Sequence, residues 1–495
     1  MDEGSTTTAP EIKHSTCPKA DGIQGAEMRG SKLILPEDIL YYIHALMSMR
    51  DAARAAVVSH EFRNSWKFYP RLIFDTETLG IDEDGCNNNE VTCDFDFISI
   101  VDHIMQNHSG IGVKTFRLRI EPCRNVDPSY VDRWLQRAIT PGIEEFALQM
   151  PWPNKISYNF PSSLLSTERA SSMQSFALSD CAFHSAAGVG FLSNLRNVAL
   201  SSVHITGEEL CGFISNSLAL ERLDLLSCHD IVRLKIPCLL SQLNFLQVED
   251  CVMLEIIESS APNLSQFNYL GRPIHISLGD PIHLRRIHMS SLDDSNMLYS
   301  ASTKLPSIAP NLQTLLLTST YEMVNTPMVH GKFIHLKYLE ILLIKPSSSP
   351  DYDFCSLDSF LHGSPALETF TLRIELSAIR HDSILGCSDS NSVQPRRLSE
   401  HSHDSLKNVM ITGFCSAKSM IELTKHILER AHSLERITLD TSRGHDDKSG
   451  NCSQMLEEDL VEAQRARLAI GRHLEEHVPS TVCLKVVEPC RMCVY

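Results

Sequence analysis

Apolar residues recur along this chain in one short pattern. In Leu220-Glu-Arg-Leu-Asp-Leu225 the first, fourth and sixth positions are apolar and those between are polar. The first two apolar positions stand three apart, as at a tight bend. The last two alternate, as on a β-strand with one buried face. The same frame returns as Leu195/Val198/Leu200, Leu243/Leu246/Val248, Leu264/Phe267/Tyr269, Leu284/Ile287/Met289, Leu312/Leu315/Leu317 and Leu336/Leu339/Ile341. Looser copies are Val113/Phe116/Leu118, Ile143/Phe146/Leu148, Met173/Phe176/Leu178, Leu367/Phe370/Leu372, Leu406/Val409/Ile411 and Leu434/Ile437/Leu439. Thirteen copies in one register predict stacked strands that share a core.

From Leu195 the first positions advance by 25, 23, 21, 20, 28 and 24 residues, the spacing of leucine-rich repeats. A chain of 495 residues would otherwise suggest about three domains, but a solenoid extends one core instead of dividing it. The expected fold is therefore α/β, a curved array with parallel strands on its concave face. The wider early intervals leave room for helices, which the apolar stripes Phe97 to Met105 and Tyr130 to Ile139 supply.

The flanks break this rhythm. Residues 1–30 lack periodicity and read as a disordered leader. Pro36 suits a first helical position, and Glu37 and Asp38 complement the positive end of the helix dipole. Ile39, Leu40, Ile43, Leu46 and Met47 follow as one apolar stripe. Ser48 to Asp51 has the form of a capping box opening a second helix, and Ser59 suits the N-cap of a third carrying Phe62 and Trp66. Residues 31–75 thus form a three-helix bundle, 75–95 a polar loop, and 97–440 the array. The Ser-, Asp- and His-rich run 379–404 reads as a mobile insertion, with His401 and His403 solvated, and Gly444 to Asn451 as a linker. Residues 405–495 hold the last repeats and a closing cap, with a helix from Gln454 to Glu476 and a strand from Thr481 to Val487.

The bundle residues resemble an F-box. Leu35-Pro-Glu-Asp-Ile-Leu40, Arg50-Asp-Ala-Ala-Arg54, Val58-Ser59 and Trp66 match that motif as it stands in plant F-box proteins. His60-Glu61-Phe62 occupy the place where the family has Lys/Arg-Arg-Trp. Segments Val113 to Leu148, Leu234-Lys-Ile-Pro-Cys238 and Ser405 to Thr441 resemble the plant F-box/LRR family with a C-terminal FBD-like region. The resemblance implies a substrate-recognition subunit of an SCF-type (Skp–cullin–F-box) ubiquitin ligase, itself non-catalytic. Its expected partners are a Skp-type adaptor, through it a cullin scaffold, and a target protein. Leu35, Pro36, Ile39, Leu40, Ile43, Val58 and Trp66 are expected to dock the adaptor or to hold the docking bundle together. The alternative is a leucine-rich-repeat interaction scaffold outside any ligase.

Charge and chemistry narrow the rest. A formal net charge of −17 disfavours a partner bound mainly through phosphates. No secretory signal or membrane span is visible, so nucleus and/or cytoplasm is expected, with the 16 cysteines as thiols. No nucleophile elbow, P-loop or HExxH motif occurs. Cys490 and Cys493 have metal-ligand spacing without a second pair, so neither a metal nor a cofactor is expected. If the hexamer's apolar positions one, four and six face the core, positions three, five and seven line the concave face and meet a partner. On that basis Arg222, Asp224, Phe245, Glu249, Arg286, His288, Tyr338 and Glu340 are the candidate target-binding residues.

Overall fold

The computed structural model describes residues 36–81, 90–120, 126–151, 158–184, 190–279, 282–291, 296–320, 322, 331–344, 352–375, 382–385, 400–442 and 455–490. The expected leader, the Gly444 to Asn451 linker, Cys493, Leu35 and most of the expected insertion lie outside them.

Three helices open the described chain: α1 (Glu37–Leu46), α2 (Met49–Val58) and α3 (His60–Trp66). Ser48 Oγ accepts from the Asp51 amide at 3.2 Å and donates to the Asp51 carboxylate at 2.8 Å. Ser59 Oγ accepts from the Phe62 amide at 3.3 Å, so both capping residues do what their sequence context dictates. The strand β1 (Arg71–Phe74) follows at once, then two helices, α4 (Thr76–Leu79) and α5 (Glu90–Asn107). The polar-loop expectation for 75–95 therefore fails at both ends, because Asp75 caps α4 and α5 begins at Glu90.

The repeat strands come next. They begin with β2 (Thr115–Arg119), β3 (Glu145–Gln149), β4 (Ser175–Ser179), β5 (Asn197–Ser201) and β6 (Arg222–Leu226). The middle of the chain alternates β7 (Arg233–Ile236), β8 (Phe245–Glu249), β9 (Ile256–Ser259), β10 (Gln266–Leu270), β11 (His275–Ser277) and β12 (Arg286–Ser291). After these stand β13 (Thr314–Ser319), β14 (Tyr338–Ile344), β15 (Thr369–Glu375), β16 (Asn408–Thr412), β17 (Arg436–Asp440) and β18 (Cys483–Val487). Between the strands run the helices α6 (Pro128–Ala138), α7 (Thr167–Ala170), α8 (Gly207–Ser215), α9 (Met297–Ile308), α10 (Asp358–Gly363) and α11 (Lys418–Arg430). Fifteen of them form one parallel sheet in chain order, leaving out β7, β9 and β11. All thirteen hexamers lie on strands of this sheet, with their three apolar positions buried, as Leu220, Leu223 and Leu225 show. The fold is the α/β leucine-rich-repeat solenoid that the spacing predicts.

Two features go beyond the pattern. The strands β7, β9 and β11 make a second parallel sheet of three strands. There the 20-to-23-residue repeats are too short for a crossover helix, so a short strand replaces it and Leu234, Ile236 and Ile257 seal the core. Asp180, Ser202, Ser227 and Asp250 each adopt positive φ one residue past a strand. Their amides donate to the carbonyls of Ser201, Leu226, Glu249 and Leu270 on the next strand, which extends the ladder through the corner. That backbone gain offsets the left-handed conformation these side chains disfavour.

The main core is a cluster running from Met49 and Ala52 in α2 to Leu474 near the C-terminal end, with a small second cluster at Met455 and Ala463. The main cluster includes a phenylalanine stack in which Phe116, Phe146 and Phe176 lie side by side on β2, β3 and β4, with centroids 5.9 and 5.7 Å apart.

Candidate protein-binding surfaces

The first surface is the helical bundle. Its interior is organised by His44, 1% exposed, a residue the sequence pattern does not single out. His44 Nε2 lies 2.9 Å from the Ala52 carbonyl oxygen, which can only accept, so that nitrogen carries the proton. Nδ1 then accepts from Ser65 Oγ at 2.8 Å. The ring packs on Phe62, Tyr69 and Trp66 at centroid distances of 5.1, 5.6 and 6.1 Å. Burial holds His44 below the ordinary histidine range, against the opposing pull of the Ala52 hydrogen bond. Phe62, half-buried, thus packs one side of this ring.

The bundle is fastened to the sheet by backbone acceptors. The Arg71 guanidinium donates to the carbonyls of Ala45 at 2.6 Å and Met47 at 2.9 Å, and Tyr69 OH donates to Met47 at 2.9 Å. On the array side, His108 Nε2 donates to the Tyr69 carbonyl at 3.0 Å, while its Nδ1 accepts from the Gly110 amide at 3.0 Å. Trp66 stacks on Tyr69 at 5.3 Å, so of the seven candidate docking residues it belongs to this junction.

Leu35 lies outside the described residues, and the other five stand away from this junction. Ile39 is 42% exposed and Val58 85%, Pro36 is exposed, and Leu40 and Ile43 are half-buried. Tyr42, Leu46 and Val57 extend the same apolar exposure, although the sequence reading did not name them as contacts. Exposed apolar residues at this density in three short helices are the mark of a surface meant to be covered. Exposed Glu61 accepts a hydrogen bond from Ser59 Oγ at 2.7 Å.

The second surface is the outward face of the large sheet. Register places Arg222 beside Phe245, then Gln266, Arg286, Thr314 and Tyr338 in one row. The next row runs Asp224, Gln247, Asn268, His288, Leu316, Glu340. Strand spacing of about 4.8 Å makes each row roughly 24 Å long, so the candidate target residues form one surface. Arg222 lies over the Phe245 ring at 3.9 Å and donates to Asp224 at 2.6 Å. Tyr338 OH donates to Glu340 at 2.7 Å, and Arg373 approaches the same carboxylate at 3.6 Å. Gln247 donates to Glu249 at 2.9 Å. Burial in this crowd pushes His288 down, opposed by the negative charges of Glu249 and Glu340. Gln266 and Asn268 on β10 complete the face; the hexamer frame that placed their neighbours places them too.

Beside the face, at the ends of β8 and β10, is a pocket of about 110 Å³ lined by residues including Cys251, Tyr269, Leu270 and Gly271. That volume suits one side chain and is well below the roughly 300 Å³ of a small-molecule site. Among the described residues the buried cysteines Cys181, Cys228, Cys251, Cys355 and Cys415 are thiols not joined in disulfides. Burial pushes Cys181 and Cys415 up to about 12, where they are protonated and inert. No helix among the described residues is long and apolar enough to cross a membrane.

A parallel-strand array in hexamer register, led by a capped three-helix bundle, defines a leucine-rich-repeat protein with an N-terminal helical module. The chain belongs to the family described as At1g61320/AtMIF1, LRR domain, which matches residues 104–491. Its relatives in Arabidopsis thaliana include At3g59230, named for an F-box and leucine-rich repeats. The two are 24% identical over 473 residues, covering 86% of this chain and 91% of that one. F-box/LRR-repeat protein At3g58900 is 31% identical over 114 residues, which is 23% of this chain and 34% of that protein's length. FBD-associated F-box protein At1g66310 is 28% identical over 109 residues, 21% of this chain and 22% of that one.

Proposed function

We propose that this chain is the substrate-recognition subunit of an SCF-type E3 ubiquitin ligase in the nucleus and/or cytoplasm. In this reading residues 31–75 are an F-box that holds a Skp-type adaptor and through it a cullin. The array of residues 97–440, closed by an FBD-like cap over 405–495, binds the protein to be ubiquitinated. The chain supplies no catalytic group. It supplies proximity, converting an encounter between target and charged ubiquitin-conjugating enzyme into an intracomplex reaction.

The observation that carries this reading is the exposed apolar face of the bundle, where Ile39 and Val58 stand out beside the motif residue Pro36. The F-box names of the relatives support the same assignment. Co-purification with a Skp-type adaptor tests it. Wild type should retain the adaptor, while Leu35→Ala/Pro36→Ala and Val58→Asp should lose it with unfolding temperature unchanged. Failure of the wild-type chain to bind any such adaptor refutes the proposal. Glu61, where the family has a positive charge, favours a second reading as a scaffold outside the ligase. Adaptor binding without ubiquitination of any captured partner would select that second reading.

A further inference from the structure

Between the repeats of β15 and β16 lies a buried cluster that neither binding surface uses. Asp358 opens the short helix α10 (Asp358–Gly363). His403 sits in the loop before β16, and His426 lies on α11 (Lys418–Arg430). Their exposures are 4%, 7% and 7%. One donor atom from each lies within 4.8 Å of the others. We propose that Asp358, His403 and His426 bind a zinc ion that staples these two repeats together.

The geometry is that of ligands around a common centre. Asp358 Oδ1 is 3.3 Å from His426 Nε2 and 3.8 Å from His403 Nε2. Tetrahedral zinc with bonds of about 2.0–2.1 Å sets its ligands roughly 3.4 Å apart. Among the described residues neither His403 Nε2 nor His426 Nε2 has a hydrogen-bond partner, and both face the Asp358 carboxylate. Two imidazole nitrogens so deeply buried and aimed at one carboxylate are satisfied together by a cation. Two imidazoles and a carboxylate suit zinc among the divalent metals, and magnesium poorly.

Position explains the use. The interval from Leu367 to Leu406 is 39 residues, the longest between hexamers, so here neighbouring repeats are least constrained by chain connectivity. The ion would tie α10, ahead of that interval, to the loop that closes it and the helix beyond. The His403 amide already donates to the Arg430 carbonyl at 2.9 Å, fixing one ligand to the end of α11. His401, next along that loop, stacks on His362 at 4.1 Å. The expectation that His401 and His403 are simply solvated is therefore corrected for His403, which the packing of α11 encloses.

The test uses the full chain carrying Cys490→Ser and Cys493→Ser, so that terminal thiols contribute no ligand. After EDTA treatment and dialysis, Zn²⁺ is titrated against a chromophoric chelator and thermal unfolding is followed with and without the ion. Binding of about one zinc per chain is expected, with unfolding temperature raised by Zn²⁺ and not by Mg²⁺. Asp358→Asn, His403→Ala and His426→Ala should each weaken affinity beyond the 10–100-fold typical of an outer-shell loss, while His426→Cys retains it. The cysteine rescue separates ligation from packing. If the alanine variants fail to fold, Co²⁺ added to the EDTA-treated parent chain decides: tetrahedral ligand-field bands support the site, an aqua-ion spectrum overturns it. A parent chain that takes up no zinc, or well-folded variants with unchanged affinity, also overturns it.

Discussion

Single residues at the junction between bundle and array make stability depend on pH in a predictable direction. His44 and His108 are both held below the ordinary histidine range, chiefly by burial. The folded state therefore favours the neutral rings, and for His108 protonation would also destroy the acceptor that the Gly110 amide uses. Between the lowered folded value and the ordinary value near 6.5, the unfolded chain binds more protons. Stability is thus fully present above about pH 6.5 and falls as pH drops through the folded values. Denaturant midpoints at pH 7.5 and 5.5 should show this loss, and His108→Gln should be weaker at pH 7.5 with a shallower pH slope. Gly413, just past β16, has φ +70, and a Cβ there would run into the Ile374 carbonyl oxygen. Gly413→Ala should therefore destabilise by more than about 1 kcal/mol, read as a lowered unfolding temperature.

At the scale of elements, the hexamer is a self-contained instruction. Its first leucine fills the corner before the strand and its next two fill the core, and each strand aligns with its neighbour because the same three positions must be buried together. Phe176 is the most heavily committed of these, touching Phe146, Phe160, Phe183 and Phe213 at 5.6–5.7 Å. Phe176→Ala should cost about 3–5 kcal/mol, and hydrogen exchange should report opening centred on β3 to β5. This also explains what was legible in the sequence. Strands carrying the full frame could be read directly. Tyr69, Leu72 and Phe74 carry the frame into β1, but a tyrosine at its first position and the helical motif directly before it hid the strand. The strands β7, β9 and β11 carry too few alternations to stand out from loop. The outward residues of β6, β8, β12 and β14 followed from the frame. His44 could not, because a lone histidine within an apolar stripe gives no sign of the carbonyl acceptor and the hydroxyl donor it will meet. Asp358, His403 and His426 come from three elements up to 68 residues apart, and no local spacing marks them.

At the scale of the molecule, the two surfaces are joined rigidly but separable in function. A solenoid transmits little beyond nearest neighbours, so a substitution on the outward face of β8 or β14 leaves the bundle untouched. Meanwhile Arg71 and Tyr69 lock α1 to the first strand through backbone carbonyls, so a cargo held on the sheet keeps a fixed bearing to whatever covers α1 and α2. Phe245 and Tyr338 sit at opposite parts of the exposed row, one under a guanidinium and one hydrogen-bonded to a carboxylate. Aromatic side chains so placed are the residues that concentrate binding energy at protein interfaces. Truncating both should cost a bound partner about 2–4 kcal/mol, or roughly 30- to 1,000-fold in Kd. Their contribution to folding is small, since neither belongs to the core. Phe245→Ala/Tyr338→Ala should therefore abolish capture of the partner that the wild-type chain retains, with adaptor binding intact. A variant that loses both interactions at once would instead mean that the outward row braces the fold, and that the cargo is held elsewhere.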